Sequence, residues 1–218
     1  MDALLAAARA AAGPSEPVVV ILPTAAARQR PEQAAAQGER AFRAAATRAG
    51  TGIAVLTAPI LTRADAADPE LVGMLAGAHL IHVPGGDPDL VPSVLRDTLA
   101  WAAILEGLDR GMCLAGASAG AMALGERVWT SRGGVDGLGL LPGVAVIPHF
   151  VAGRLDAWRP VVEAGRPLAW IGIDEQTLVM GRPGETWSVA GRGRIHVVPV
   201  GALEPALVAG PGAAVPIG

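Results

Sequence analysis

One serine of this chain has the sequence neighbours expected of a nucleophile. Ser118 is the middle residue of GASAG, residues 116–120, which follows an apolar run and leads into a helix-like stretch. The pattern G-x-S-x-G places a serine on a sharp strand-to-helix turn, where small neighbours permit the turn and let a substrate approach. The helix that begins there directs free N–H groups toward developing negative charge. We therefore predict a nucleophilic serine; the alternative is a tight packing turn.

A glycine-rich turn ends the strand predicted just before the strand of Ser118. It has the sequence VPGGD, residues 83–87. In an open parallel sheet, ligands bind beyond the carboxyl ends of the strands, so this turn is expected to face the serine. The backbone N–H groups of Gly86 and Ala119 are the predicted oxyanion hole. The alternative is an ordinary tight turn.

A serine nucleophile needs a base, and the chain has four histidines. His79 and His82 lie within one predicted strand and are expected to be structural, whereas His196 lies in a predicted C-terminal hairpin. His149 follows a predicted strand, within the sequence PHF, and is the favoured base.

Two adjacent carboxylates, Asp174 and Glu175, follow another predicted strand within the sequence GIDE. One of them is expected to orient the imidazole of His149 and stabilise its cation. The alternative is a solvated turn or, for Asp174, a cap.

Strands and helices alternate over the first part of the chain. The predicted strands cover residues 18–22, 53–57, 79–83 and 112–115, and the predicted helices cover residues 32–48, 69–75 and 90–108. Such alternation indicates βαβ units and a parallel sheet covered on both faces. The last third is strand-rich, with predicted strands at residues 144–147, 170–173, 177–180, 186–189 and 194–198. The last two are predicted to form a hairpin with its turn at residues 190–193. We predict an α/β fold, doubly wound and mostly parallel, with an antiparallel strand-rich C-terminal extension.

Length and composition favour one aliphatic domain. The 218 residues fit a single domain, with an N-terminal helix at 1–13, a catalytic core at 17–200 and a tail at 201–218. Hydrophobic residues make up 51% of the chain and tyrosine is absent, so the core must be mainly aliphatic. The 17 basic and 20 acidic residues give a net charge of −3, which argues against a nucleic-acid partner.

Location and cofactor requirements are constrained by what the sequence contains. The N-terminal stretch lacks a basic start and is interrupted by Arg9, which is untypical of a signal peptide. Apolar runs fall short of the ~18 residues of a membrane span, so no membrane association is expected. The single cysteine, Cys113, indicates a reducing cytoplasm. The sequence shows no cluster with metal-ligand spacing, and we expect neither a metal nor a cofactor.

Four motifs in register resemble a family of serine peptidases that includes dipeptidase E (aspartyl dipeptidase) and cyanophycinase. They are GASAGAMAL, the upstream PGGD, the PHF histidine and GIDE, and the resemblance spans residues 18–198. It implies the class I glutamine-amidotransferase-like fold, with a flavodoxin-like sheet. It further implies Ser118 as nucleophile, His149 as base and Glu175 as the third triad member, with Asp136 and Asp174 as alternative acids.

The resemblance also implies a substrate class. We expect hydrolysis of short peptides through an acyl-enzyme, with an aspartyl residue favoured on the acyl side, by a homodimer. The candidate substrate-binding residues are Asp87, Arg132, Arg154 and Arg159. The three arginines are candidates because a guanidinium fork suits a substrate carboxylate. The alternative for each arginine is a solvated surface residue. The alternative functions are a cyanophycinase-like β-aspartyl peptidase, an esterase using Ser118, Asp174 and His196, and a non-catalytic member of the same fold.

Overall fold

The computed structural model describes residues 1–130, 133–151, 168–202 and 204–217. Residue contacts divide the chain into two compact units, Met1–Gly120 and Ala121–Gly218. That the chain functions as one domain, with a catalytic core at residues 17–200, stays a prediction.

The first unit contains a four-stranded parallel sheet. Its strands are β1 (Val18–Ile21), β2 (Ala54–Thr57), β3 (Leu80–Val83) and β4 (Cys113–Gly116), in the order β2-β1-β3-β4. Its helices are α1 (Asp2–Ala12), α2 (Pro31–Ala49), α3 (Pro69–Ala76), α4 (Leu90–Leu95) and α5 (Leu99–Asp109). Two 3₁₀ turns lie at Pro23–Ala26 and Asp65–Ala67, and α6 (Ala119–Ala123) follows β4. The strand order is that of the first four strands of a flavodoxin-like sheet. The α/β prediction is therefore confirmed.

The two central strands of the parallel sheet, β1 and β3, are covered on both faces. Val19 and Ile21 pack in one apolar cluster with Phe42 of α2 and with α1. Val20 and Ile81, which alternate to the opposite face, are also fully buried. Because both faces of β1 and β3 are buried, these two strands appear in the sequence as continuous aliphatic runs, which made them recognisable.

The predicted single helix over residues 90–108 is wrong, because two helices, α4 and α5, cover this range. Asp97, between them, has a left-handed backbone with φ 57°. Thr98 then caps α5, its side-chain oxygen accepting an N–H of the first turn at 3.3 Å. The Arg63 guanidinium accompanies the break, donating to the carbonyls of Ser93 and Arg96 at 3.1 and 2.9 Å.

The second unit is strand-rich. Its strands are β5 (Arg127–Thr130), β6 (Gly133–Asp136), β7 (Val144–Pro148), β8 (Ala169–Ile173), β9 (Thr177–Met180), β10 (Thr186–Gly191), β11 (Ile195–Val198), β12 (Leu207–Ala209) and β13 (Ala214–Pro216). They form sheets in the orders β12-β11-β8-β7, β13-β10-β9 and β5-β6. Strands β7 and β8 are parallel, and the other strand pairs named here are antiparallel. The strand-rich antiparallel extension is therefore confirmed.

The hairpin predicted between residues 186–189 and 194–198 is wrong. Strand β10 pairs with β9, and β11 pairs with β8. The residue-to-residue pairing continues without an offset from the first pair of strands to the second. The chain reverses instead at residues 181–185, where Gly184 has φ 78° and the Glu185 N–H donates to the Arg182 carbonyl at 3.0 Å. Residues 192–194 connect β10 to β11, which belong to different sheets. Across the described ranges, the helices are too short or too polar to cross a lipid bilayer.

Candidate active site

Ser118 lies on the turn between β4 and α6. The Ala117 N–H donates to the Val83 carbonyl at 2.9 Å, which extends the β3–β4 pairing to the residue before the serine. The chain then turns at Ser118, whose φ is 51°. This left-handed backbone is uncommon for a residue with a side chain and recurs at functional turns. The strand-turn-helix geometry is the one expected of a nucleophile elbow.

Three glycines permit the close packing around this turn. A Cβ added to Gly85 would lie 3.1 Å from Ser118 Cβ and 3.5 Å from its Oγ. Added to Gly86 or Gly120, it would overlap the carbonyl of Ala25 or of Val83 respectively. The glycine pair after β3 thus lies directly against the elbow, as predicted. Gly85, rather than Gly86, is the neighbour of the serine side chain, which only the three-dimensional packing reveals.

Unpaired backbone donors accompany the elbow. Within the described ranges, the N–H groups of Gly86 and Ala119 donate no hydrogen bond to another part of the chain. Ala119 is the first residue of α6, so its N–H has no partner within that helix. Free N–H groups beside a nucleophile are what an oxyanion hole requires. Asp87 is tied differently: its N–H donates to the Ala25 carbonyl at 2.7 Å, and its carboxylate lies 3.6 Å from the Arg28 guanidinium.

In the second unit, His149 and Glu175 form a hydrogen-bonded pair. His149 directly follows β7, and Glu175 lies two residues after β8. Because β7 and β8 are parallel neighbours, with Pro148 opposite Ile173, their carboxyl ends bring the two residues together. The His149 Nδ1 atom lies 2.5 Å from Glu175 Oε1. A carboxylate only accepts a hydrogen bond, so Nδ1 carries the proton in this contact.

The other two candidate acids are bound elsewhere. Asp174 Oδ1 lies 3.0 Å from His196 Nε2, and its Oδ2 accepts the Arg194 N–H at 3.0 Å. Asp136 pairs with the Arg127 guanidinium at 3.1 Å, across the antiparallel strands β5 and β6. Among the three, Glu175 is the carboxylate that the structure places against His149.

Two histidines of the first unit, His79 just before β3 and His82 within it, make structural contacts. His79 Nδ1 accepts the Val18 N–H at 3.0 Å. His82 is buried, with its ring edge-on to Phe42 at 5.6 Å between centroids. Burial lowers the pKa of His82 to about 4, so it is uncharged at neutral pH.

Three of the predicted substrate-binding residues, Arg132, Arg154 and Arg159, lie outside the described residues. Over the ranges that are described, His, Cys, Asp and Glu side chains form no group of three placed to hold a metal ion.

An elbow serine on a parallel α/β sheet, in the first unit, and a histidine–carboxylate pair, in the second unit, are each features of serine hydrolases. The family model of Peptidase family S51 matches residues 3–186. The chain therefore belongs to peptidase family S51, a family of serine peptidases, and the resemblance found in the sequence is confirmed.

Curated and solved relatives agree with this membership. Cyanophycinases from Synechococcus elongatus and Thermosynechococcus vestitus are each 34% identical over 149 residues, covering 62% of this chain and 46% of theirs. The match thus spans about half the length of these relatives. A crystal structure of a peptidase from an acI-B1 actinobacterium has a TM-score of 0.78 at 32% identity, covering 99% of this chain and 88% of that one. A putative peptidase E from Listeria monocytogenes EGD-e has a TM-score of 0.55 at 19% identity, covering 80% and 85%, and shares the fold.

Proposed function

We propose that this chain hydrolyses short peptides through an acyl-enzyme formed on Ser118. The observation that carries the proposal is the left-handed backbone of Ser118 between β4 and α6, with φ 51°. A non-glycine residue in this region costs about 1–3 kcal/mol, so the fold keeps a serine there against its own stability. A packing turn would gain by having glycine or asparagine at this position, and this weakens the non-catalytic reading.

The chemistry assigned to the chain follows the general serine mechanism. Ser118 Oγ attacks the peptide carbonyl while His149 Nε2 takes its proton, and the N–H groups of Gly86 and Ala119 bind the developing oxyanion. His149 then gives the proton to the leaving amine, which breaks the C–N bond and leaves the acyl-enzyme. Water activated by the same histidine hydrolyses the ester and restores Ser118.

Glu175 supports the base in this scheme. Its carboxylate at 2.5 Å from Nδ1 fixes the tautomer that leaves Nε2 unprotonated, and it stabilises the imidazolium once the serine proton has been taken. The esterase alternative used Asp174 and His196 instead. These two residues do pair, but the family match favours a peptidase over an esterase.

An aspartyl residue on the acyl side is the proposed preference, with one of Arg132, Arg154 and Arg159 meeting its carboxylate. An arginine fork forms two parallel hydrogen bonds with a carboxylate, and this selects an acidic side chain over a neutral one. Asp87, which is joined to Arg28 beside the glycine turn, is the remaining candidate contact.

A β-aspartyl peptidase is the second candidate. It is favoured by the two curated relatives named cyanophycinase, although each match covers 46% of the relative's length. The two candidates share the acyl-enzyme and differ in which aspartyl carbonyl is attacked. A pair of dipeptides differing only in α- or β-linkage therefore separates them.

The test of the mechanism uses the purified chain and its Ser118→Ala variant. The parent is expected to cleave members of a dipeptide panel and to gain the mass of one serine-directed phosphonate, with the label mapped to Ser118. The variant is expected to do neither while keeping its melting temperature. A parent that neither cleaves peptides nor takes the label would overturn the proposal.

Location and assembly remain proposals as well. A cytoplasmic location is supported by the single cysteine, and a homodimer by the family resemblance alone. Cell fractionation tests the first, and light scattering on the purified chain tests the second.

A further inference from the structure

Two neighbouring carboxylates in the second unit bind two different histidines. Glu175 is hydrogen-bonded to His149, and Asp174 lies 3.0 Å from His196 Nε2 through its Oδ1 atom. Asp174 directly follows β8 and Glu175 lies in the turn that comes next, so the two adjacent side chains reach separate partners. The second pair is better shielded from water: the side chains of His196 and Asp174 are 13% and 30% exposed, against 59% and 74% for His149 and Glu175.

The Asp174 pair anchors the segment that carries Glu175. The Asp174 N–H donates to the Arg194 carbonyl at 3.0 Å, and the Arg194 N–H returns a bond to Asp174 Oδ2, also at 3.0 Å. A Cβ added to Gly193 would lie 2.7 Å from Asp174 Cβ, so only glycine permits this approach. On the other side of Glu175, the carbonyl of Gln176 accepts the Arg192 N–H at 3.0 Å. The backbone on both sides of Glu175 is thus tied to residues 192–194.

His196 also reaches the residue that follows the proposed base. Its ring stacks on Phe150 with centroids 4.4 Å apart and planes at 34°. The Phe150 ring rests against Gly172, where a Cβ would overlap it, and the Phe150 N–H donates to the Ile173 carbonyl at 3.0 Å. Phe150 is therefore fixed from two sides, by β8 and by His196.

We propose that His196 is a positioning residue for the His149–Glu175 pair, an inference that rests on the proposed function. Its Nε2–H holds Asp174 beside the acid, and its ring face holds Phe150 beside the base. A carboxylate only accepts, so Nε2 carries the proton in this contact. One side chain thereby fixes the neighbours of both members of the pair.

The pair needs such support because of its exposure. With side chains 59% and 74% exposed, His149 and Glu175 are screened by water, and an ion pair of this kind holds its own geometry weakly. Their alignment must come from the backbone, and His149 has φ 52° and Gln176 φ 56°, conformations that only surrounding contacts maintain. His196 supplies contacts to both segments.

Two substitutions separate the two contacts of His196. His196→Gln keeps an N–H donor at the place of Nε2 but removes the ring face, whereas His196→Phe keeps the ring face and removes the donor. Each variant is measured for kcat and KM on the best dipeptide of the panel. Each is also examined by NMR, at low temperature to slow exchange with water, for the downfield proton signal of His149 Nδ1–H, which reports the contact with Glu175 without any substrate.

Both variants are expected to lower kcat by about ten- to a hundredfold with little change in KM, because small misplacements of catalytic groups cost this much. The Nδ1 proton signal is expected to broaden or shift in both. His79→Gln is the matched control: it removes a structural histidine of the first unit and should lower the melting temperature while leaving kcat and the signal unchanged. Folded His196 variants with the parent's kcat and signal would overturn the proposal.

The experiments distinguish failure of the proposed peptidase function from failure of the positioning role of His196. If the parent cleaves no peptide and takes no phosphonate, the proposed function fails, and the NMR signal alone still decides the role of His196. If the His196 variants do not fold, Asp174→Asn replaces them, since it keeps the shape and the acceptor for the Arg194 N–H. An unchanged signal in folded Asp174→Asn would then count against the positioning role, and a broadened one would support it.

Discussion

The Nδ1 atom of His149 lies 2.5 Å from Oε1 of Glu175, although 26 residues separate them in the chain. The contact exists because β7 and β8 are parallel neighbours and end side by side. A pair at the carboxyl ends of parallel strands occupies the edge where α/β proteins place their ligand sites. Its chemical role is open to a direct test.

Glu175→Gln should lower kcat strongly, by an amount approaching ~10⁴-fold, while the protein stays folded. The amide can donate to Nδ1 and so favour the tautomer whose Nε2 already carries a proton. Steady-state kinetics with thermal melting checks this. Asp136→Asn is the matched control, because Asp136 pairs with Arg127 at 3.1 Å and should leave the rate nearly unchanged. A large loss in the control with none in Glu175→Gln would assign the acid to Asp136.

Gly85→Ala should impair activity more than stability. The new methyl group would lie 3.1 Å from Ser118 Cβ and 3.5 Å from Oγ, so the serine must shift by a few tenths of an ångström. Catalysis depends on such alignment, and we expect kcat/KM to fall by about tenfold or more.

Gly73→Ala provides the comparison for this change. Gly73 lies in helix α3, and its added Cβ would meet nothing within 4 Å. The substitution should therefore stabilise the helix by roughly 0.5–1 kcal/mol without affecting the rate. Equal activity in Gly85→Ala and Gly73→Ala would show that the glycine turn does not shape the site.

Acid should destabilise the fold through His82. Burial lowers the pKa of this histidine to about 4, whereas in the unfolded chain it is about 6.5. The unfolded state therefore binds the extra proton between these values, so the free energy of unfolding falls as the pH drops from about 6.5 to about 4. Between pH 7 and pH 5 the contribution is about 2 kcal/mol.

His82→Phe removes the titrating group and keeps an aromatic ring against Phe42, which packs edge-on to His82 in the parent. Urea denaturation at pH 7 and pH 5 should show a smaller loss of stability in this variant than in the parent. Identical losses in the two proteins would mean that His82 does not govern the acid sensitivity.

Substrate choice tests the proposed preference. Asp-Leu should be cleaved roughly ten- to a hundredfold faster than Asn-Leu or Ala-Leu, because a charge-assisted bond to arginine is worth ~1.5–3 kcal/mol. The β-linked form of Asp-Leu, included in the same assay, distinguishes the β-aspartyl alternative. Equal rates for Asp-Leu and Ala-Leu would refute the acidic preference and leave the peptidase assignment standing. EDTA should not inhibit if the reaction proceeds through Ser118 alone.

The features that the sequence predicted correctly are those with local causes. The central strands β1 and β3 appear as aliphatic runs because they are buried on both faces, and the sharp turn at Ser118 comes from a motif whose spacing that turn demands. The break between α4 and α5 has one local signal, the capping residue Thr98, within a run that is otherwise helical in pattern. It is accompanied by a guanidinium from Arg63, about 30 residues upstream, which binds carbonyls that a continuous helix would have used.

For a related reason, the sequence alone does not decide which carboxylate contacts His149 or which glycine-containing segment forms the hairpin turn. Asp174 and Glu175 are adjacent, and which of them faces His149 depends on the register of β8 in its sheet. Likewise, residues 181–185 and 190–193 both contain the glycines that a turn needs. Pairing of β10 with β9 and of β11 with β8 decides between them, and neither pairing is visible in a short window of sequence.

In the described part of the chain, four residues other than glycine have a positive φ: Asp97, Ser118, His149 and Gln176. Two of these are the proposed nucleophile and base, and Gln176 follows the proposed acid. Selection for folding and selection for catalysis should therefore favour different residues at the same positions. A library screened only for solubility would enrich glycine or asparagine at positions 118 and 149, and a library screened for turnover would retain serine and histidine there. Position 97, which has the same backbone but no proposed chemistry, should accept glycine in both screens. The disagreement between the two screens would then mark the catalytic positions without any knowledge of the substrate.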